Sequence, residues 1–201
     1  MKKLLFILVL LGSVSVVMSQ PKNSDKKLWK ECQKIAKQLE KEGWRPDALD
    51  KLDVLIYNHK IKLKDPDVHY TEMVSTIEGQ KNLKTTNRAR QWAIMNAKAE
   101  YAKQARMQLE GNLGGGAEEF CQKYEGVVST KIYNELRPSV CMFRENDDMT
   151  LDYKIFFLVD DDAALKARLN AIEQIKLEAQ IVGINMDDVN KYIKENVTII
   201  K

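Results

Sequence analysis

The chain has 201 residues, 44% of them hydrophobic and 30% charged, which suits a folded domain with a real core and excludes a disordered tract or a disulfide-dense miniprotein. The net charge is +3 from 32 basic and 29 acidic residues; without Lys2 and Lys3 the excess falls to +1, with both signs interleaved throughout. No basic face is concentrated enough for nucleic acid to be an expected partner.

The N-terminus reads as a cleavable export leader. Lys2 and Lys3 form a basic start, Leu4 to Leu11 an apolar run extended by Val14, Val16 and Val17, and Val17-Met18-Ser19 a cleavage site before Gln20. The run is shorter than the roughly 20 residues a spanning helix needs, and Gly12, Ser13 and Ser15 interrupt it. The expected organisation is a signal peptide over 1–19 and a single α+β domain over 20–201. Within that domain a helical pair spans 20–65, a sheet-and-helix core 66–181 and a short C-terminal helix 182–201. No transmembrane segment is expected after leader removal.

Ser24 can cap a first helix over 24–42, in which Leu28, Trp29, Cys32, Ile35, Ala36 and Leu39 recur at helical spacing. Its lysines, Lys26, Lys27, Lys30, Lys34, Lys37 and Lys41, share the surface with Asp25, Glu31, Glu40 and Glu42, as on a solvated face. Gly43 can end this helix. Trp44-Arg45-Pro46 reads as a connection, with Pro46 opening a second helix striped by Leu49, Leu52, Leu55, Ile56 and Leu63 and stopped at Asp65-Pro66-Asp67. Val68, Tyr70, Thr71, Val74, Thr76 and Ile77 predict a strand.

A long helix follows from Asn87 to Glu110, with Ala89, Ala93, Ala97, Ala99, Ala102 and Ala105 for close packing and Trp92, Met95, Tyr101 and Leu109 as bulk beside them. Gly111 to Gly116 should break it. No strand enters that tract, no Lys-Ser/Thr pair follows it, and Glu118-Glu119 sit where a phosphate would, so it is a helix break and not a phosphate loop. A helix over 117–135 should end at Arg137-Pro138. Strands from Ser139 to Glu145 and Thr150 to Val159, joined at Asn146-Asp147-Asp148, predict a hairpin. Asp160-Asp161-Asp162 should open a helix to Ile181, broken at Gly183. A last helix over 187–195 precedes Val197-Thr198-Ile199-Ile200, and Asn196-Val197-Thr198 fits a glycosylation sequon. The fold class expected is α+β: a small antiparallel sheet of three or more strands, with long Ala-rich helices on one face and an N-terminal helical pair beside it.

The Glu42-Gly43-Trp44 connection, the Leu-spaced helix and then the strand after it, and the helix Arg88-Ala89-Arg90-Gln91-Trp92-Ala93-Ile94-Met95-Asn96-Ala97-Lys98-Ala99-Glu100-Tyr101-Ala102 carry a resemblance. The chain resembles the lipoprotein-20 family of bacterial envelope proteins and the related N-terminal domain of a flagellar assembly protein. In that family an Ala-rich helix packs on a small antiparallel sheet, to whose paired strands the hairpin Val140 to Val159 is similar. The resemblance covers about residues 28–180 and implies an exported envelope protein without known catalysis. The chain departs from it in having no Cys at the leader's cleavage site to take a lipid, which favours a soluble periplasmic or secreted form, peripheral to the outer membrane at most.

The candidates for chemistry are few. His59 on the second helix and His69 at the start of the first strand read as surface or turn histidines. Cys32, Cys121 and Cys141 fall at apolar phases, as small buried hydrophobes do; an odd number leaves at least one unpaired. Asp147-Asp148 and Asp160-Asp161-Asp162 could suit calcium, but they lack the spacing and glycine of a calcium loop, and turn formation and capping account for them. No catalytic, cofactor-binding or metal site is assigned, and no cofactor is expected. The expected function is non-enzymatic binding of another envelope protein, with Trp44 and Arg45 at the helix connection as the interaction surface. One alternative is a ligand-binding protein or hydrolase with a pocket between sheet and helices. Another is self-assembly through a sheet edge.

Overall fold

The structure, a computed structural model, describes residues 25–113, 117–181 and 185–196. The leader and its cleavage site, Ser24, Gly114 to Gly116, Gly183 and Val197 to Ile200 lie outside the described residues. The fold is α+β, with one four-stranded antiparallel sheet in the order β1-β3-β4-β2.

Helix α1 spans Lys26–Lys41 and buries Leu28, Cys32, Ala36 and Leu39 along one stripe. Its end is fixed by Gly43 at φ +89. The Gly43 N–H donates to the Glu40 carbonyl and the Trp44 N–H to the Leu39 carbonyl, the paired closure that a left-handed glycine makes available.

The chain then does something that helix signals did not predict. Arg45–Pro46 form a two-residue strand, β1, paired with Phe143 and Met142. Proline is tolerated at an edge because it needs no donor there. The Asp47 N–H donates to the Cys141 carbonyl at 2.9 Å and its carboxylate accepts from the Tyr153 hydroxyl. These bonds hold the segment extended, so Pro46 does not open a helix. Helix α2 begins later and spans Leu52–Leu63; Leu49, placed on its stripe by the sequence, is fully exposed.

Strand β2 spans Tyr70–Ile77. Helix α3 spans Thr86–Leu113 and runs through Gly111 instead of ending there. A Cβ at Gly111 would meet nothing within 4 Å, and one interior glycine costs only about 1 kcal/mol. Helix α4 spans Glu118–Lys131 and closes in a single 3-10 turn, Ile132–Asn134. Strand β3 spans Leu136–Glu145, starting three residues before the predicted Ser139. It absorbs Pro138 through a register shift between Pro138 and Val140, a bulge being one of the places a strand accepts proline. Strand β4 spans Leu151–Asp160, helix α5 Asp161–Ile181 and helix α6 Met186–Asn196.

Helices cover both faces of the sheet, not one as expected. On β3 and β4 successive side chains alternate between faces. Val140, Met142 and Phe156 meet Leu28, Cys32, Ala36, Leu39, Trp44, Leu52 and Ile56 of the N-terminal pair. Tyr153, Ile155, Phe157 and Val159 meet the larger core on α3, α4 and α5. The hairpin strands carry apolar residues at both phases, and each phase has found its own helical layer. Ala89, Ala93, Ala97, Ala102 and Ala105 are fully buried and let α3 lie close to its neighbours.

Candidate functional site

Trp44, expected at an exposed interface, is 1% exposed. The reason is electrostatic as well as apolar: the Arg144 guanidinium stands 4.8 Å and the Lys154 ammonium 4.5 Å from its ring centroid, so cations shield the indole from water. Arg45 is exposed and pairs through its backbone with Phe143. The connection is therefore a clamp between α1 and the sheet. Arg144 also donates to the Glu42 carbonyl at 3.4 Å and to the Asp152 carboxylate at 2.7 and 3.2 Å.

His59, read from sequence as a surface residue, is fully buried on α2 against Phe156. Its Nε2 lies 3.6 Å from the Glu72 carboxylate of β2, a polar contact longer than a hydrogen bond. The Lys60 ammonium donates to both Glu72 oxygens at 2.8 and 3.2 Å. His59 and Lys60 together outweigh desolvation and hold the Glu72 carboxyl at about 2. This triad joins α2 to β2. His69 is exposed just before β2, and its carbonyl accepts from the Asp161 N–H.

The acidic clusters do local work. The Asp148 carboxylate accepts from the Thr150 N–H, and the Asp160 carboxylate from the Asp162 and Ala163 N–H groups, both at 3.1 Å. These are a turn and a helix cap. Among the described residues no group of three or more His, Cys, Asp or Glu is gathered to hold a metal ion. All three thiols are free; Cys32 and Cys121 are fully buried and Cys141 half-buried. On the larger-core side, buried Arg168 donates to the Tyr124 hydroxyl at 2.8 Å and to Gln108 at 3.3 Å. It makes no ion pair with a described residue.

The surface that stands out was not singled out from sequence. β2 is the last strand of the sheet. It pairs with β4 at all positions from Tyr70 to Ile77, and no described strand pairs with its outer edge. Along such an edge every second residue turns its N–H and C=O outward. α3 runs antiparallel beside it. Its buried row is Ala89, Ala93, Ala97, Tyr101, Ala105 and Leu109; Trp92, Asn96, Glu100 and Gln104 precede members of that row by one residue, about 100° round the helix. This second row borders β2. The Ser75 hydroxyl donates to the Ala93 carbonyl and the Asn96 amide to Ser75, fixing helix to strand.

Two hollows open along this border. The first, ≈ 210 Å³, is lined by Thr71, Met73, Glu100, Tyr101, Gln104 and Asp161 among others. The second, ≈ 400 Å³, is lined by Thr76, Ile77, Glu78, Trp92, Met95 and Asn96 among others. Trp92 is 49%, Met95 63% and Val74 48% exposed, so two of the four large residues expected to add bulk beside the alanine core lie outside it, while Tyr101 and Leu109 are buried in it. A wheel centred on the alanine row would have shown this. Another open depression, ≈ 600 Å³, lies between the start of α1 and the end of α2; its lining mixes both signs, Asp25, Glu31 and Asp65 with Lys27 and Lys64. Among the described residues no helix is long and apolar enough to cross a membrane. Scans against protein-family models, curated proteins and solved structures return no match.

Proposed function

We propose that this chain is an exported, non-enzymatic bacterial cell-envelope protein that works by binding another envelope protein. The observation that carries the reading is the open edge of β2, with Val74, Trp92 and Met95 exposed beside it. An eight-residue edge with no described partner offers a row of backbone donors and acceptors, and aromatic and Met side chains supply contact area at interfaces. The leader-like N-terminus and the likeness to the lipoprotein-20 pattern support the envelope as the place of action. The docking surface moves from Trp44 and Arg45 to this edge.

The test is a photo-reactive residue placed at Val74 or Met95 in native cells, with exposed Met107 on the same helix as control. One discrete adduct from positions 74 and 95, absent from 107, is the expected result. Equal labelling from all three positions, or none, overturns the reading. Sequencing the mature chain tests the leader: its first residue should be Gln20.

A further inference from the structure

The exposed edge has a definite chemistry. The residues lining the two hollows include four acids, Glu72, Glu78, Glu100 and Asp161, and no Lys or Arg. Glu72 pairs with Lys60, and Glu78 with Arg144, which it shares with Asp152. Glu100 and Asp161 take part in no ion pair with a described residue. Both line the first hollow, together with Tyr101, whose buried hydroxyl has no hydrogen-bond partner. Asp161 accepts from the Thr71 hydroxyl at 2.7 Å and Glu100 from the Gln104 amide at 3.3 Å, but neither has a cationic partner in an ion pair among the described residues, so this hollow is complementary to a positive charge. The second hollow has Ile77, Trp92 and Met95 among its seven lining residues and so offers apolar contact to a guest side chain.

The spacing of these hollows fits one kind of occupant. Thr71, Met73, Ser75 and Ile77 share the α3 face of β2, because side chains alternate along a strand. The first hollow lies at Thr71 and Met73 and the second at Ile77, so Met73 and Ile77, four residues apart, mark the two positions. A strand added at the edge would present its own side chains to the same face at the same four-residue interval. Resting on the protein-binding reading above, we infer that the β2 edge accepts an extended peptide segment of a partner by strand addition. The segment enters antiparallel, as every strand pair here is antiparallel. It carries an apolar side chain for the second hollow and, four residues toward its C-terminus, a Lys or Arg for Glu100 and Asp161. A second copy of this chain is a poor occupant, because β2 (Tyr-Thr-Glu-Met-Val-Ser-Thr-Ile) contains no Lys or Arg.

The test uses the full chain and two synthetic ten-residue peptides, one with Leu-x-x-x-Lys and one with Leu-x-x-x-Glu, the x residues being Thr and Val. Binding is read by fluorescence anisotropy and by amide exchange. The Lys peptide should bind at least about fivefold more tightly than the Glu peptide, and alternate amides of β2 should gain protection. Glu100→Lys, an exposed change, should remove or reverse the preference without lowering the unfolding temperature. Equal affinity for both peptides, or binding without β2 protection, overturns the inference. So does concentration-dependent β2 protection in a dimer without peptide, which would make the edge a self-association surface. If crosslinking at Val74 still captures one envelope protein while the peptides fail, only the peptide chemistry is wrong. If both fail, the protein-binding reading falls with it.

Discussion

Removing the Asp152 carboxylate should loosen three segments at once. Asp152 is 3% exposed. It accepts from the Arg144 Nε and Nη2 at 3.2 and 2.7 Å, from the Asn146 amide at 3.0 Å and from the Gly79 N–H at 2.9 Å. It thereby ties the β3–β4 hairpin to the turn after β2 and, through Arg144, to the end of α1. Breaking a buried ion pair from one side costs about 3–5 kcal/mol. Arg144, however, keeps 31% side-chain exposure and its contact with Glu78, so water and Glu78 recover part of that. Asp152→Ala should therefore cost about 2–3 kcal/mol, or roughly 4–12 °C in a chain of this size. Urea unfolding followed by circular dichroism measures the loss, and a cycle with Arg144→Met should show about 1–2 kcal/mol of coupling. A loss below about 1 kcal/mol, or additive single changes, would refute the clamp. Acid provides a second check. Burial pushes the Asp152 carboxyl up, but its hydrogen bonds more than offset this and leave it below the usual value. The stabilisation is thus complete above the unfolded pKa and lost as pH falls through the folded one, and Asp152→Ala should flatten that acid limb.

The Glu72 contact has a similar signature on the other strand. Its folded carboxyl at about 2 lies below the ordinary 4.5, so its contribution is present above pH 4.5 and disappears toward pH 2. Glu72→Gln should cost about 1–2 kcal/mol at neutral pH and remove that component of acid unfolding. Gly43→Ala should cost about 1–2 kcal/mol in urea unfolding, because the residue sits at φ +89 and its Cβ would lie 3.2 Å from Arg144 Cδ. Unchanged stability there would show that the closure of α1 tolerates a side chain. Ala97→Leu should overpack the buried face of α3 at a cost of about 1–3 kcal/mol, whereas Ala99→Leu, on an exposed position of the same helix, should change unfolding by less than about 0.5 kcal/mol.

The α+β class was legible because its signals are periodic: the 3.6-residue stripe of α1, the alanine row of α3 and the apolar run of β4. What the sequence hid depends on residues far apart in the chain. Pro46 carries a helix-start signal, but the competing contacts come from Cys141, Met142 and Tyr153, about a hundred residues on. Arg137-Pro138 carries a stop signal, yet a bulge accommodates it. His59 sits in a polar stretch, and only the arrival of the sheet beneath α2, with Glu72 of β2 and Phe156 of β4, buries it. Trp44 shows the limit for function: an aromatic at a connection has the same local context whether exposed or covered, and here Arg144 and Lys154 cover it. The offset of Trp92, Asn96, Glu100 and Gln104 from the alanine row was readable, but that β2 lay at the end of the sheet was not.

The two fully buried thiols stand on opposite sides of the sheet. Cys32 belongs to the layer of α1 and α2, and Cys121 to the layer of α3, α4 and α5. Burial raises both, Cys121 to about 11, so each reacts with a thiol reagent only when its own layer opens. The chain thus carries a separate clock for each layer. If Cys32 is modified before Cys121, the N-terminal pair opens as an independent unit while the larger core stays shut; matched rates mean that both layers and the sheet between them come apart in one event.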